Sequence, residues 1–101
     1  YILECADKTY YTGSTPRLEE RLKEHNEGKG AKYTRGRRPL TLKQAWSVEN
    51  RSQGLRLEAF LKKLSRQKKS QLIIEPQLLS LLAQENGYEF PVRVLKNAEP
   101  Q

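Results

Sequence analysis

The chain has 101 residues, room for one domain at most, and its 19 Lys and Arg against 12 Asp and Glu give a net charge of +7. No apolar run approaches the roughly 18 residues of a membrane span, and the lone Cys5 excludes an internal disulfide or a cysteine-built metal cage and fits a reducing compartment, the cytoplasm. No secretory signal is visible, and the absence of methionine puts Tyr1 downstream of the expected start of the reading frame.

"YILEC" is rich in β-formers and predicts a strand; "ADK" reads as a turn and "TYYTG" as a second strand. So short a link excludes parallel pairing, which needs a crossover of about a dozen residues, and predicts an antiparallel hairpin. Ser14 or Thr15 is placed to cap a helix with Pro16 in its first turn. That helix runs to Asn26, with Leu18 and Leu22 facing inward and Gly28 ending it. "GKGAKYTRGRRP" is too rich in glycine and charge for a regular element and reads as a loop. "LTLKQAWSVE" has the composition of a third strand. From Ser52 to about Gln67, Leu57, Phe60, Leu61 and Leu64 fall at helical spacing, and a second helical segment covers residues 66–74. "EPQLLSLLAQENG" predicts a further short helix ended at Gly87, and "YEFPVRVLKNAEPQ" a short extended piece and a mobile tail. The order predicts an α+β domain, a small three-stranded antiparallel sheet flanked by helices over residues 1–74, with 75–101 as a C-terminal helical extension and tail.

The charge is uneven. Residues 1–70 hold 17 Lys and Arg against 8 Asp and Glu, whereas residues 71–101 hold 2 against 4. A basic body points to a polyanion, and nucleic acid fits better than a membrane because no strongly apolar amphipathic helix accompanies the charge. Arg17, Arg21 and His25 recur every four residues on one helix face. Glu58, between Leu57 and Leu61, sits at the edge of an apolar stripe and should be half shielded from water. Read singly, these residues are a solvated helix face and a boundary carboxylate.

Together they say more. Tyr1-Ile2-Leu3, then Tyr11-Thr12-Gly13, then Arg21 and His25, then Glu58 resemble the GIY-YIG endonuclease family. "HNEGKGAKYTRGRRP" and "RSQGLRLEAFLKKLSRQKK" are similar to its short stand-alone, single-domain bacterial branch. The resemblance covers residues 1–74. The leading Gly-Ile of the first motif would lie before Tyr1, Thr12 stands where the motif has an apolar residue, and neither Asn86 nor Asn97 is a confident match for the asparagine some relatives carry late in the domain. The resemblance implies metal-dependent hydrolysis of DNA phosphodiesters, with Tyr1 and Tyr11 as base or water-positioner, Arg21 and His25 beside them, and Glu58 holding one Mg²⁺ or Mn²⁺. One carboxylate is sparse for a cage but suits Mg²⁺, which keeps waters and takes phosphate oxygens. A free tyrosine is a poor base at neutral pH and needs nearby positive charge.

Tyr10 and Tyr11 must point to opposite faces of their strand; matching the motif puts Tyr11 on the catalytic face and Tyr10 in packing, with Gly13 allowing a tight turn. Lys29, Lys32, Arg35, Arg37 and Arg38, with Tyr33 among them, are candidates to track a backbone and stack on a base. Lys62 and Lys63, continued by Arg66, Lys68 and Lys69, form a second basic strip. No base-reading element is evident, so recognition of structure or backbone is expected. A non-cleaving DNA- or RNA-binding module, or a structural partner in a larger complex, are the rival readings. Oligomeric state is not legible in the sequence.

Overall fold

The YILEC stretch forms β1, Ile2–Glu4, which pairs antiparallel with β2, Tyr10–Thr12, and with β3, Thr41–Gln44, in the order β2–β1–β3. Its central position explains why the consecutive residues Ile2 and Leu3, on opposite faces, are both fully buried. Ile2 lies opposite Thr12, Leu3 opposite Tyr11 and Glu4 opposite Tyr10. Tyr1 extends the ladder, its nitrogen donating to the Gly13 carbonyl (2.9 Å) and its carbonyl accepting from Gly13 (3.1 Å). The computed structural model describes residues 1–95; the expected mobile tail and Asn97 lie outside the described residues.

The first helix, α1, is Leu18–Asn26. It starts later than the caps expected at Ser14 or Thr15 and excludes Pro16: its N-cap is Arg17, with no side-chain cap bond. Thr15 Oγ1 instead accepts from the Arg17 amide at 3.1 Å, shaping the turn ahead of the helix. Gly28, at φ +81°, ends α1 as expected. The glycine-rich loop that follows contains one helical turn, α2, Lys32–Arg35. The expected third strand breaks at Ala45, whose amide donates to the Gln44 side chain (3.0 Å). Beyond the break, β4 (Trp46–Ser47) pairs with β5 (Arg93–Val94), so the extended C-terminal piece joins a second, two-stranded sheet.

The two expected helices are α3, Arg51–Lys62, which stops short of Gln67, and α4, Arg66–Ile74. Each has its own cap, Asn50 Oδ1 accepting from the Gln53 amide and Ser65 Oγ from the Lys68 amide, which is why the helix does not run through to Gln67. The short helix in the extension is α5, Leu78–Glu85, with Gly87 at φ +88° beyond it. Asn86 caps its end, its amide donating to the Leu82 carbonyl at 2.8 Å. Two apolar clusters hold the chain. One lies where α1 covers the sheet: Tyr1, Leu3, Cys5, Leu40 and Ala45, with Leu18 and Leu22 against them. The other joins α3, α4 and α5 through Leu57, Phe60, Leu61, Leu72, Leu79 and Ala83. No helix among the described residues is long and apolar enough to cross a membrane.

Candidate active site

Tyr1 is the hub of the site. Its ring lies 6.4 Å from that of Tyr11 across the β1–β2 pair, and the Tyr11 ring lies 5.2 Å from His25 on α1. The close passage of Tyr1 over Gly13 explains that glycine. A Cβ there would stand 2.5 Å from the Tyr1 hydroxyl and 2.6 Å from Cζ. The expected tight turn is not the reason: Gly13 has an ordinary φ, and what it supplies is room.

The Tyr1 hydroxyl meets His25 Nε2 at 2.8 Å, and His25 Nδ1 meets Thr34 Oγ1 at 2.9 Å. Thr34 spends its own proton on the Ala31 carbonyl, 2.9 Å away. Its oxygen can therefore only accept from His25, so the neutral imidazole carries its proton on Nδ1 and leaves Nε2 to accept from Tyr1. Both His25 and Thr34 are fully buried, so His25 is not part of a solvated helix face, although Arg17 on the same spacing is exposed. Gly30 makes this burial possible, since a Cβ there would come 2.8 Å from His25 Cγ and still closer to Nδ1. Desolvation first, then the positive charge of Arg21, hold the His25 pKa below its ordinary value, which keeps the ring neutral.

Burial pushes the Tyr1 phenol up to about 12, with Arg21 beside it pulling the other way and Tyr11 and Glu58 adding to the rise. Arg21 is partly held by Glu24, at 3.0 Å. Glu58 comes from α3, and Tyr1 and Glu58 line one cavity. As the apolar stripe foretold, the Glu58 side chain is mostly shielded, 19% exposed, and Lys62 one turn on contacts its Oε2 at 2.7 Å. Gly54, one turn before Glu58, faces the loop after β2, where a Cβ would sit in ordinary contact with Ser14 Oγ at 3.4 Å.

Tyr10 turns to the opposite face. Its hydroxyl meets Ser70 Oγ on α4 at 3.0 Å, and the Arg66 guanidinium lies 4.2 Å over its ring. Tyr33 on α2 stacks on Tyr11 at 6.0 Å, bringing the basic loop to the rim of the site. Three of the loop's cations stand clear as expected: Lys29 (beside Glu27 at 4.0 Å), Lys32 and Arg35 are exposed. The other two are engaged within the chain. Arg37 bonds Asp7 (3.0 Å) and the Tyr33 carbonyl (2.7 Å) and lies 3.9 Å over the Tyr33 ring; Arg38 bonds the Arg35 carbonyl (3.1 Å). Arg37, paired with Asp7, shapes the loop more than it offers free charge, whereas Arg38 stays exposed. Lys62 faces Glu58, and Lys63 is exposed beside it.

Sequence reasoning missed Thr34, Gly30 and Asn26. Asn26 pins α1 to the start of β3, accepting from the Leu40 amide (2.7 Å) and donating to its carbonyl (3.1 Å). No periodicity marks these residues: Thr34 is a buried polar residue and Gly30 a glycine in an irregular stretch, and Asn26 is an exposed residue at the end of α1.

Paired tyrosines on two strands, an arginine on one helix and a carboxylate on another make a site suited to chemistry at a phosphate group. The chain belongs to the GIY-YIG family: the family's catalytic-domain model matches residues 1–71, and it brings with it nuclease-like activity on nucleic acid. Similar proteins occur in archaea and in bacteria, so the branch is wider than bacterial. A UPF0213 protein of Halobacterium salinarum is 50% identical over 72 residues, 71% of this chain and 94% of its own length. One from Syntrophus aciditrophicus is 57% identical over 74 residues, 72% of this chain and 85% of its own. No solved structure matches the chain.

Proposed function

We propose that this chain is a divalent-metal-dependent endonuclease that hydrolyses phosphodiester bonds in DNA without reading its sequence. The observation that carries the reading is the convergence on Tyr1 of Tyr11, Arg21, His25 and a cavity wall holding Glu58. Among the described residues no three metal-binding side chains cluster, so Glu58 would be the protein's ligand, with water and phosphate oxygens completing the shell. The donor set fits: a shielded carboxylate already drawn to a cation, the Lys62 ammonium. When bound, the ion supplies Lewis-acid stabilisation of charge on the phosphate and the leaving oxygen.

A phenol pushed up to about 12 makes little free tyrosinate. It need not, because Tyr1 donates to a neutral His25. The Tyr1 oxygen takes a proton from the attacking water while its own proton passes to Nε2, and imidazolium is the only charge formed on the protein. Arg21 stabilises charge on the phosphate oxygens. Tyr11 packs against His25 and Tyr33 and orients the water. Lys29, Lys32, Arg35 and Lys63 grip the backbone.

The test is cleavage of single-stranded, duplex and branched DNA with Mg²⁺, Mn²⁺ or EDTA, with Glu58→Gln beside the parent. Glu58→Gln should abolish cleavage and leave metal-free binding equal or tighter, since it removes an anion from the phosphate path and frees Lys62. Cleavage that persists unchanged in Glu58→Gln, or a parent inactive under every metal, refutes the enzyme; the latter with intact binding would make the chain a binding module.

A further inference from the structure

Asp7, Arg37, Tyr33 and Tyr11 form a continuous column from the β1–β2 turn to the catalytic face. We propose that Tyr33 and Arg37 are positioning residues for Tyr11, clamping its ring while its hydroxyl stays free for the attacking water. The role rests on the nuclease reading, in which Tyr11 orients that water.

Tyr11 needs such a clamp. Tyr1 and Tyr10 are each fixed through the hydroxyl, by His25 Nε2 at 2.8 Å and by Ser70 Oγ at 3.0 Å. The Tyr11 hydroxyl has no partner among the described residues. That leaves it available to water or phosphate, and it leaves the ring to be oriented by its faces and edges. His25 meets the ring edge-on at 5.2 Å and Tyr1 lies tilted at 6.4 Å. Tyr33 is the stacked neighbour, 6.0 Å away at 27°, and so sets the plane of the Tyr11 ring.

Tyr33 could not do this unaided. It belongs to the single helical turn α2, it is 39% exposed, and its hydroxyl too has no partner among the described residues. Arg37 supplies the support. Its guanidinium lies 3.9 Å over the Tyr33 ring, donates to the Tyr33 carbonyl at 2.7 Å and is anchored on Asp7 Oδ2 at 3.0 Å. Asp7 is fixed in turn, its Oδ1 accepting from the Thr9 hydroxyl (2.6 Å) and amide (3.2 Å). The backbone closes the same link, the Ala6 amide donating to the Arg37 carbonyl at 2.9 Å. The guanidinium covers ring surface that a stacked nucleobase would need, so Tyr33 acts through Tyr11 and not on a base. Thr34, the next residue of the same turn, holds His25, so adjacent side chains of α2 serve the two tyrosines of the site separately.

The test is nuclear magnetic resonance without metal or DNA, on protein carrying ¹³C-labelled tyrosine and ¹⁵N-labelled histidine. Tyr11→Phe assigns the Tyr11 ring among the five tyrosines, and His25 is the single histidine. Arg37→Ala should move the Tyr11 signals toward those of Tyr33→Leu, while the His25 nitrogens keep the pattern of the Nδ1–H tautomer. Tyr33→Phe, which keeps the ring, should leave the Tyr11 signals where the parent has them. In single-turnover cleavage, Arg37→Ala and Tyr33→Leu should each lose roughly ten- to hundredfold in rate, with metal-free DNA affinity unchanged. Tyr11 signals unmoved in Arg37→Ala overturn the proposal. A change of the His25 tautomer alongside the shift also overturns it, because Arg37 would then brace the whole loop. So does a loss of DNA affinity of roughly fivefold or more in Tyr33→Leu, which would make Tyr33 a base-stacking residue. The Tyr11 signals are read without catalysis, so a parent that shows the coupling but never cleaves refutes the nuclease reading alone. A parent that cleaves without the coupling refutes the column alone.

Discussion

Thr34→Val removes a hydroxyl while keeping the volume of a fully buried side chain. Two bonds go with it, the one from His25 Nδ1 (2.9 Å) and the one to the Ala31 carbonyl (2.9 Å). Valine cannot accept, so a buried Nδ1–H loses its partner at a cost of about 1–3 kcal/mol. For a domain near this size, a loss of about 2 kcal/mol lowers Tm by roughly 8–16 °C. The imidazole can recover only by moving its proton to Nε2, where it donates to the Tyr1 oxygen and reverses that bond. A reversed bond takes the acceptor away from the Tyr1 proton, so kcat should fall by the roughly 10²–10⁴-fold typical of lost acid–base catalysis. Thr34→Ser keeps the hydroxyl and should restore most of the activity while remaining somewhat less stable. Thermal melts and single-turnover cleavage on the same preparations read both effects. A Thr34→Val protein as active as the parent would refute the tautomer argument, whatever its Tm.

Gly13→Ala should leave the strands paired but displace the Tyr1 ring, whose hydroxyl would lie 2.5 Å from the new Cβ; cleavage should be lost with a circular dichroism spectrum like the parent's. His25 has a folded pKa below its ordinary 6.5, so its contribution to stability is complete above about pH 6.5. That contribution is lost as pH falls below 6.5 toward the folded value; urea unfolding between pH 5 and 8 should show the decline, and His25→Gln should flatten it. Arg35→Ala should reduce the log–log salt slope of DNA binding by about one unit, while Arg37→Ala, already bonded to Asp7 and Tyr33, should leave the slope unchanged. Equal slope changes in the two variants would mean that Arg37 leaves its partners on binding.

Much of the fold could be read because its signals are local and periodic. The hairpin follows from two β-rich runs on a short link, and the α3 stripe from Leu57, Phe60 and Leu61, all buried. The alternation that set Tyr11 against Tyr10 held, because period two is strict along a strand. What could not be read depends on contacts distant in sequence. Nothing in "LTLKQAWSVE" says that its second half leaves the first sheet for a partner 48 residues away, Val94 opposite Trp46. Thr12 is buried with its hydroxyl unpartnered among the described residues, so it serves there as a β-branched apolar residue, as the motif's pattern asks. The site was legible as a set of residue types; its wiring was not. His25 looked like one more polar residue on a helix face, because the glycine that makes room for its ring and the threonine that fixes its proton lie in a loop five to nine residues on.

The bond from Thr34 to the Ala31 carbonyl sets a terminus. The Ala31 carbonyl at the end of that chain of donors is an acceptor only and holds no proton it could release. A proton handed from Tyr1 to His25 therefore cannot travel on through Thr34 to the far side of the domain; the buried arm is a cul-de-sac. It can leave only by the door through which it came, back across the Tyr1 oxygen and out to the solvent or the departing product. In the proposed cycle each turnover would end with the imidazolium discharged on the substrate side; water reaching Tyr1 would govern the step that recharges the site, and any molecule lingering over that phenol would delay the next cut.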